Sequence, residues 1–170
     1  MQRFAPLKPL NLEHQVDGFD CGSSEQTLWL IKYARPAQSA GSARVHVVQR
    51  LTDDRVVGYV ALAAASINPD DAPARLQRGI GRHPIPMILL ARLGVDVSEQ
   101  RRGLGSGILR DTFRLFLTVA EIVGARGLLI HCENEQALAW YLSRAAFEAS
   151  PTDPLHLILL AKDLRRALLD

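Results

Sequence analysis

The first forty residues carry two short patterns of apolar and polar positions. The stretch 7–14 is typical of a short first strand. Ser23 offers a hydroxyl to cap a helix, and polar residues separate it from apolar positions at 28, 29 and 31. Because the residue before a proline avoids the α conformation, we expect this helix to end before Pro36.

The next fifty residues change from a period of two to a proline-rich stretch. Apolar and polar side chains alternate in residues 44–51, and residues 56–67 are rich in β-branched and small apolar side chains. With turn residues between them, the two segments predict an antiparallel hairpin. Residues 68–86 are polar and contain several prolines, which predicts a long connection with at most a short helix between Ala72 and Arg78.

A buried strand followed by a long helix is predicted next. Residues 87–97 form a nearly continuous apolar run, which is typical of a strand buried on both faces. From Leu104 the period lengthens to three or four residues, which predicts an amphipathic helix that closes at Gly124. The apolar face of this helix comprises Ile108, Leu109, Thr112, Phe113, Phe116, Val119, Ala120 and Val123.

The last third of the chain predicts shorter elements. Residues 127–132 form an apolar strand, and residues 134–145 a helix. Two final strands are expected, one from Phe147 and one over residues 155–160, before a short terminal helix over 162–169. A hairpin followed by strand, helix, strand, helix and two strands predicts an α/β fold, with a central mixed sheet flanked by helices.

Composition narrows the class of protein. A chain of 170 residues with 48% hydrophobic and 22% charged side chains suits one globular domain, which we place over residues 1–170. The net charge of +2 is too small to indicate nucleic-acid binding without local clustering of cations. Cys21 and Cys132 are far apart, so we expect reduced thiols and no metal. No signal segment or membrane span is apparent, which predicts a cytoplasmic protein.

The segment from Gln100 to Gly107 is the strongest candidate for chemistry. It joins the buried strand to the long helix, where unpaired backbone N–H groups and the helix dipole favour anions. Glycines at 103, 105 and 107 permit close approach, and Arg101 and Arg102 add positive charge. The pattern lacks the spacing of a P-loop or of a dinucleotide-binding turn. The glycines alone also fit a plain turn beside two solvated arginines.

Motifs along nearly the whole chain resemble one known family. Gln100-x-x-Gly103-x-Gly105, between an apolar strand and an amphipathic helix, resembles the acetyl-CoA signature of the GNAT N-acetyltransferases. Further similarity to the tRNA-acetylating toxins of type II toxin–antitoxin systems comes from His14, residues 19–22, 28–30, 57–62 and 90–96, and Trp140-Tyr141 followed by Phe147. The resemblance implies the GNAT acyl-CoA N-acyltransferase fold. It also implies acetyl transfer from acetyl-CoA to the α-amino group of aminoacyl-tRNA, which blocks translation.

The resemblance also implies where acetyl-CoA binds. In GNAT enzymes the strand before the loop contacts the pantetheine arm, the loop holds the pyrophosphate, and a residue after the next strand lies near the pantetheine. The positions that match here are Leu93, Val95, Val97, Arg101, Arg102, Gly103, Leu104, Gly105, Ser106 and Asn134.

Tyr141 matches the family's helix tyrosine, which protonates the leaving CoA thiolate. A phenol suits this role because its ordinary pKa of about 10 keeps it protonated at neutral pH. The helical face that Tyr141 shares with Ala137, Leu138 and Ala145 equally fits simple core packing. No carboxylate stands out as a general base, Asp96 included, and a partly neutral α-amine can lose its proton to water.

A tRNA acceptor requires a basic surface. Arg75, Arg78 and Arg82 in the proline-rich connection and Arg92 on the buried strand are the predicted tRNA contacts. An ordinary solvated loop fits the same arginines. A GNAT enzyme for a small-molecule or protein amine, and a non-catalytic CoA-binding module, are the alternatives. The arginines favour tRNA because a pocket for a cationic amine should be acidic.

The resemblance implies a ribbon-helix-helix antitoxin as a partner, and a homodimer is a further expectation. Two positions depart from the family pattern. Ala146 stands where a glycine usually precedes the phenylalanine, and Gly94 replaces a common alanine beside Val95. The first departure should tighten a turn without abolishing the site. The second predicts a looser strand near the acyl group.

Overall fold

The structure is a computed structural model that describes residues 1–169 and contains a mixed sheet of seven strands. The strands are β1 (Lys8–Pro9), β2 (Arg44–Gln49), β3 (Val56–Ile67), β4 (Ile85–Val95), β5 (Gly127–His131), β6 (Glu148–Ala149) and β7 (His156–Leu160). Their order across the sheet is β1-β2-β3-β4-β5-β7-β6. The β4–β5 pair is parallel, whereas β1–β2, β2–β3, β5–β7 and β6–β7 are antiparallel. The predicted mixed sheet is therefore confirmed.

Six α-helices accompany the strands in residues 1–169. They are α1 (Ser24–Leu28), α2 (Ala34–Ser39), α3 (Ala74–Gln77), α4 (Leu104–Val123), α5 (Glu135–Leu142) and α6 (Ala161–Leu169). A π-helical turn, Trp29–Tyr33, joins α1 to α2, and Val97–Glu99 forms a 3-10 turn. None of the helices described is both long enough and apolar enough to cross a membrane.

The chain divides into two compact units. The first comprises Met1–Ala63 and Ala91–Thr112. In its core, buried side chains of β2 and β3 pack with residues of the helical segment 24–39, and the ring of Tyr59 is fully buried. Trp29 stacks on Tyr59 with ring centroids 6.1 Å apart, and Phe19 meets the same ring edge-on at 5.6 Å. Aromatic packing thus fixes the segment that precedes α1.

The second unit comprises Ala64–Leu90 and the chain from Phe113 onward. Its core combines the ends of β3 and β4 with β5, β7 and α3, and Leu76, Ile85 and Ile158 are fully buried there. Gly127 is required where β5 begins, because a Cβ atom would approach Leu159 O to 2.8 Å. The prediction of one domain over residues 1–170 stays a prediction.

Most predicted elements are found, but two near the N-terminus differ. The first strand covers only Lys8–Pro9, because local side-chain hydrogen bonds take over after Leu10. Glu13 N donates to Asn11 Oδ1, and Asn11 N donates to His14 Nδ1. The helix also continues past Pro36 to Ser39, so the predicted end was wrong. Pro36 lies in the first turn of α2, directly after the π-helical turn Trp29–Tyr33, where the hydrogen-bond pattern of the helix changes.

The observed bounds of the central strand and of a later helix also differ from the predicted ones. β4 runs from Ile85 to Val95, two residues earlier than predicted, because Asp96 caps a 3-10 turn and ends the strand. α5 stops at Leu142 instead of 145. The hairpin of β2 and β3, the short helix α3 and the closure of α4 by Gly124 at φ +77° are confirmed.

Candidate functional site

The turn between β4 and α4 is held by side chains of its own sequence. Asp96 accepts hydrogen bonds from Ser98 N at 2.9 Å, Ser98 Oγ at 2.7 Å and Asp20 N at 3.0 Å. Gln100 Nε2 donates to Val95 O at 2.9 Å and to Cys21 O at 2.8 Å. The glutamine of the predicted motif therefore ties the turn to the end of β4 and to the loop before α1.

Glu99 anchors the same turn through buried ion pairs. Its role was not predicted from the sequence. Only 2% of its side chain is exposed, yet it pairs with Arg3 and Arg50 at 3.0 Å each and with Arg102 at 3.7 Å. A buried carboxylate is costly unless it is paired, and three guanidinium groups meet that need. Arg102 is thereby oriented within the predicted pyrophosphate loop. The local signal was only a glutamate three residues before an arginine.

Backbone geometry in the loop suits an anion. Arg101 adopts φ +61° and Gly103 φ +86°, and such left-handed residues are typical of backbone that turns N–H groups to one side. A Cβ atom on Gly103 or Gly107 would meet nothing within 4 Å, so the surface in front of both glycines is open. The first turn of α4 carries no acidic side chain. The N–H groups of residues 104–106 have no partner within the helix.

The strand that enters the turn extends beyond its ladder with β5. β4 pairs with β5 only through Met87–Leu90 among residues 1–169, and it continues to Val95 beyond that ladder. Leu93 and Val95 are half-buried on this extension. Val97 is different from the prediction: it lies in the 3-10 turn, and its N–H donates to Asp20 O at 2.7 Å. Val97 is therefore not a strand residue that offers its N–H to a ligand.

Gly94 is explained by its neighbours. A Cβ atom there would lie 2.8 Å from Tyr59 Cε1 and 3.4 Å from Cys21 Sγ. The glycine thus accommodates the buried ring of Tyr59, whose hydroxyl donates to Gln26 O at 2.7 Å. The looser strand stays a prediction, although the space that a side chain at residue 94 would occupy is filled. Ala146 needs no glycine either, since Asp54 and Arg101 are the non-glycine residues with positive φ in residues 1–169.

Tyr141 lies near the end of α5, in the second unit. Its ring is buried with 8% exposure and meets Trp140 and Phe147 edge-on, with centroids 5.0 and 6.1 Å away. Within residues 1–169 its hydroxyl makes no hydrogen bond, although the oxygen is not sealed from solvent. Asn134 caps α5, because its Oδ1 accepts from Ala137 N at 2.9 Å. The ring is core-packed, while the phenol oxygen is left without a structural partner.

Burial controls the acid–base properties of Tyr141 and of the nearby Cys132 thiol, both in the second unit. It raises the pKa of Tyr141 well above its usual value, and the nearby Cys132 adds to the shift. Burial also raises the pKa of the Cys132 thiol to about 11. Both groups are therefore neutral at physiological pH. For Asp96, burial raises the pKa, but hydrogen bonds from Ser98 and Asp20 outweigh it and leave that carboxyl below its usual pKa.

The predicted tRNA contacts have different surroundings. Arg75 is bound by two carboxylates, Glu148 at 2.6 Å and Asp163 at 2.8 Å, so it does not form part of a free basic cluster. Arg78 and Arg82 are exposed on the connection before β4. In the first unit, Arg92 lies over the Trp29 ring at 5.2 Å and pairs with Glu25 at 3.3 Å. Two of the four arginines are thus engaged within their own unit.

Comparison with known proteins places this geometry in context. No family model matches the chain. A tRNA-acetylating toxin of Mycobacterium tuberculosis is 43% identical over 165 residues, which cover 97% of this chain and 97% of that protein. The similarity spans both units and the whole of the loop between β4 and α4.

Solved structures share the fold. A tyrosine-to-phenylalanine variant of KacT superimposes with a TM-score of 0.90, at 22% identity over 98% of this chain and 99% of that one. AtaT in complex with acetyl-methionyl-tRNAfMet gives a TM-score of 0.88, also at 22% identity, over 97% of this chain and 99% of that one. The GNAT-type fold expected from the sequence is confirmed.

Proposed function

The chain belongs to the family of tRNA-acetylating toxins, and from this premise we propose that it transfers acetyl from acetyl-CoA to the α-amino group of an aminoacyl-tRNA. The 43% identity to a tRNA-acetylating toxin over 97% of both chains carries the proposal. The loss of nucleophilicity of the acetylated amine explains the effect on translation. An acylated α-amine has no nucleophilic lone pair, so the modified aminoacyl-tRNA cannot extend a peptide from that nitrogen.

The loop between β4 and α4 fits the acetyl-CoA pyrophosphate. Open space before Gly103 and Gly107 admits a ligand close to the backbone, and unpaired N–H groups at residues 104–106 donate to its oxygens. Arg101 and Arg102 supply charge, and Glu99 keeps Arg102 oriented. The extension of β4 at Leu93 and Val95 offers backbone groups to the pantetheine amides, although the Val95 carbonyl already accepts a hydrogen bond from Gln100 Nε2. The amide nitrogen of Asn134 is a further donor, since only its oxygen caps α5.

Acetyl-CoA supplies the acetyl group as a thioester, and Tyr141 supplies the proton that the departing sulfur needs. As the amine nitrogen bonds to the acetyl carbon, the carbon–sulfur bond breaks and the phenol proton moves to sulfur. Burial raises the pKa of Tyr141, which keeps the phenol protonated.

No carboxylate of the loop is needed as a base. Asp96 is ionised, but its oxygens already accept hydrogen bonds from Ser98 and Asp20, which makes it a structural cap. An α-amine with an ordinary pKa of about 7.7–8.0 is partly neutral at physiological pH and can release its second proton to water.

Partners and location follow from the same proposal. AtaT has been solved with the C-terminus of the antitoxin AtaR and, as AtaTR, with acetyl-CoA. We expect a ribbon-helix-helix antitoxin for this chain as well. Charged tRNA and acetyl-CoA are both cytoplasmic, which is where we expect it to act. Exposed Arg78 and Arg82 are the better candidates for phosphate contacts, because Arg75 is already paired.

The test is incubation of the purified chain with acetyl-CoA labelled in the acetyl group and a pool of charged tRNAs. Label on the amino acid released from tRNA by mild base, absent with Tyr141→Phe, is the expected result. Label found only on polyamines, aminoglycosides or protein lysines would instead identify a GNAT enzyme of small-molecule or protein amines. Binding of acetyl-CoA without any transfer would identify a non-catalytic module.

A further inference from the structure

A cavity of about 660 Å³ opens on the second unit, where α4 ends and α6 begins. This size is within the roughly 300–1,000 Å³ of pockets that hold small ligands. Its lining combines two kinds of side chain: apolar Pro86, Val123 and Leu160, and basic Arg126, Lys162 and Arg165. None of these residues is a predicted acetyl-CoA or tRNA contact.

The three cations in this cavity keep their charge unopposed. No carboxylate lines the cavity, and none of Arg126, Lys162 and Arg165 forms an ion pair within residues 1–169. Arg126 only makes a long contact of 3.5 Å to the carbonyl of Leu76. Arg75 in the same unit, by contrast, is neutralised by Glu148 and Asp163. A ligand with carboxylate or phosphate groups therefore complements this cavity.

The remaining features favour a peptide over a nucleic acid. Val123 is 65% exposed at the rim and its neighbour Ile122 is 76% exposed, which offers an apolar surface that a phosphate backbone does not match. Val123 and Gly124 also present the C-terminal end of α4, where the last carbonyl oxygens lack partners within the helix. Those oxygens accept N–H groups, which a peptide backbone supplies.

We propose that this cavity binds an acidic peptide segment, with carboxylates paired to Lys162, Arg165 and Arg126 and an apolar side chain against Val123 and Leu160. Such binding goes beyond acetyl transfer, because the lining residues lie outside the proposed catalytic machinery. It gives the chain a second recognition surface for a protein partner.

The test uses the full chain and a fluorescein-labelled peptide of repeated Asp-Leu-Glu units, followed by fluorescence anisotropy. Binding should weaken as salt rises, because the carboxylate–cation contacts are screened. The same peptide with Asn and Gln in place of Asp and Glu should bind much less. A peptide of Asp and Glu alone should also bind less, since it lacks the apolar contact.

Variants locate the binding on the surface. The exposed pair Lys162→Gln/Arg165→Gln should weaken binding of the acidic peptide by about five- to thirtyfold, and Val123→Ser by about three- to tenfold. Lys32→Gln/Arg166→Gln removes the same charge from exposed positions outside the cavity and should leave binding unchanged. Acetyl transfer should be unchanged in all of these variants, so failure of the cavity and failure of the proposed activity are separable.

Several results would overturn the proposal. Equal binding of the neutral peptide, or equal losses in the two charge variants, would show that the peptide does not use this cavity. A single-stranded RNA that binds more tightly than the peptide and loses affinity in Lys162→Gln/Arg165→Gln would make the surface a nucleic-acid site. Self-association that these variants abolish in sedimentation experiments would assign it to a second copy of the chain.

Discussion

Gly94 lies directly against the ring of Tyr59: a Cβ atom on residue 94 would come within 2.8 Å of Tyr59 Cε1. The ring cannot move aside easily, because Trp29 stacks on one face and Phe19 contacts its edge. Its hydroxyl is fixed by a 2.7 Å hydrogen bond to Gln26 O. The last residues of β4, Gly94 and Val95, are therefore positioned by aromatic side chains that pack against Gly94.

Gly94→Ala should therefore destabilise the protein. Overpacking of this kind costs about 1–3 kcal/mol, and urea unfolding would measure the change in the free energy of unfolding. Gly107→Ala is the matched control, because a Cβ atom there meets nothing within 4 Å in a helical position. That control should be neutral or stabilising by about 0.5–1 kcal/mol. Equal stability of the two variants would contradict the packing argument.

Glu99→Gln should weaken both the fold and the loop. The amide keeps the size of the side chain but removes the charge that Arg3, Arg50 and Arg102 share. Since these arginines are partly solvated, we expect a loss of about 1–3 kcal/mol in unfolding free energy. The KM for acetyl-CoA should rise, because Arg102 loses its anchor. Glu121→Gln, at an exposed position on α4, is the control and should change neither quantity.

The Glu99 network shows where prediction from sequence ends. Glu99 lies 96 residues from Arg3 and 49 from Arg50, so no local pattern joins them. The turn from Gln100 to Gly107 could be predicted, because a buried strand, glycines and an amphipathic helix follow one another directly in the chain. Local spacing likewise identified the hairpin and α4.

Other misses have similar causes. The passage of the helix through Pro36 depends on a π-helical turn, Trp29–Tyr33, that propensity does not encode. The early end of β4 depends on Asp96 as a cap, and the loss of Arg75 from the basic cluster depends on Glu148 and Asp163, which are distant in sequence. Partners distant in sequence decided the outcome for Arg75, and they contribute to that of Asp96 through its hydrogen bond from Asp20 N.

Stability should fall in mild acid, in part through His14. Burial lowers its pKa, with further contributions from Lys8 and Arg35, and its Nδ1 accepts a hydrogen bond from Asn11 N at 2.9 Å. The folded state therefore binds fewer protons than the unfolded state, so this contribution is present above about pH 6.5 and is lost as the pH falls. Urea midpoints between pH 7 and pH 5 would measure it.

His14→Gln removes the titrating group and should reduce the slope of stability against pH over that range. The exposed His83→Gln should retain the slope of the natural chain. If the two variants had the same slope, His14 would not be a source of the acid sensitivity.

Arg78 and Arg82 should contribute to tRNA binding more than Arg75 does. Arg78→Gln/Arg82→Gln should raise the KM for aminoacyl-tRNA and reduce the salt dependence of binding by roughly one unit of log–log slope per lost contact. Arg75→Gln breaks contacts to Glu148 and Asp163, so it should lower the thermal midpoint and leave that slope unchanged. A change of slope in Arg75→Gln alone would reverse the assignment.

Tyr141→Phe should separate catalysis from folding. The hydroxyl makes no hydrogen bond within residues 1–169, so its removal should leave the thermal midpoint and the KM for acetyl-CoA nearly unchanged. The kcat should fall by about 100- to 10,000-fold, which is typical of losing a general acid. Tyr33→Phe, at a tyrosine that is 54% exposed, is the matched control and should retain full turnover.

Because burial raises the pKa of Tyr141, the natural chain should also show no tyrosine-dependent loss of kcat below about pH 10. Full turnover in Tyr141→Phe would remove the acid role and leave this ring as a core residue packed against Phe147.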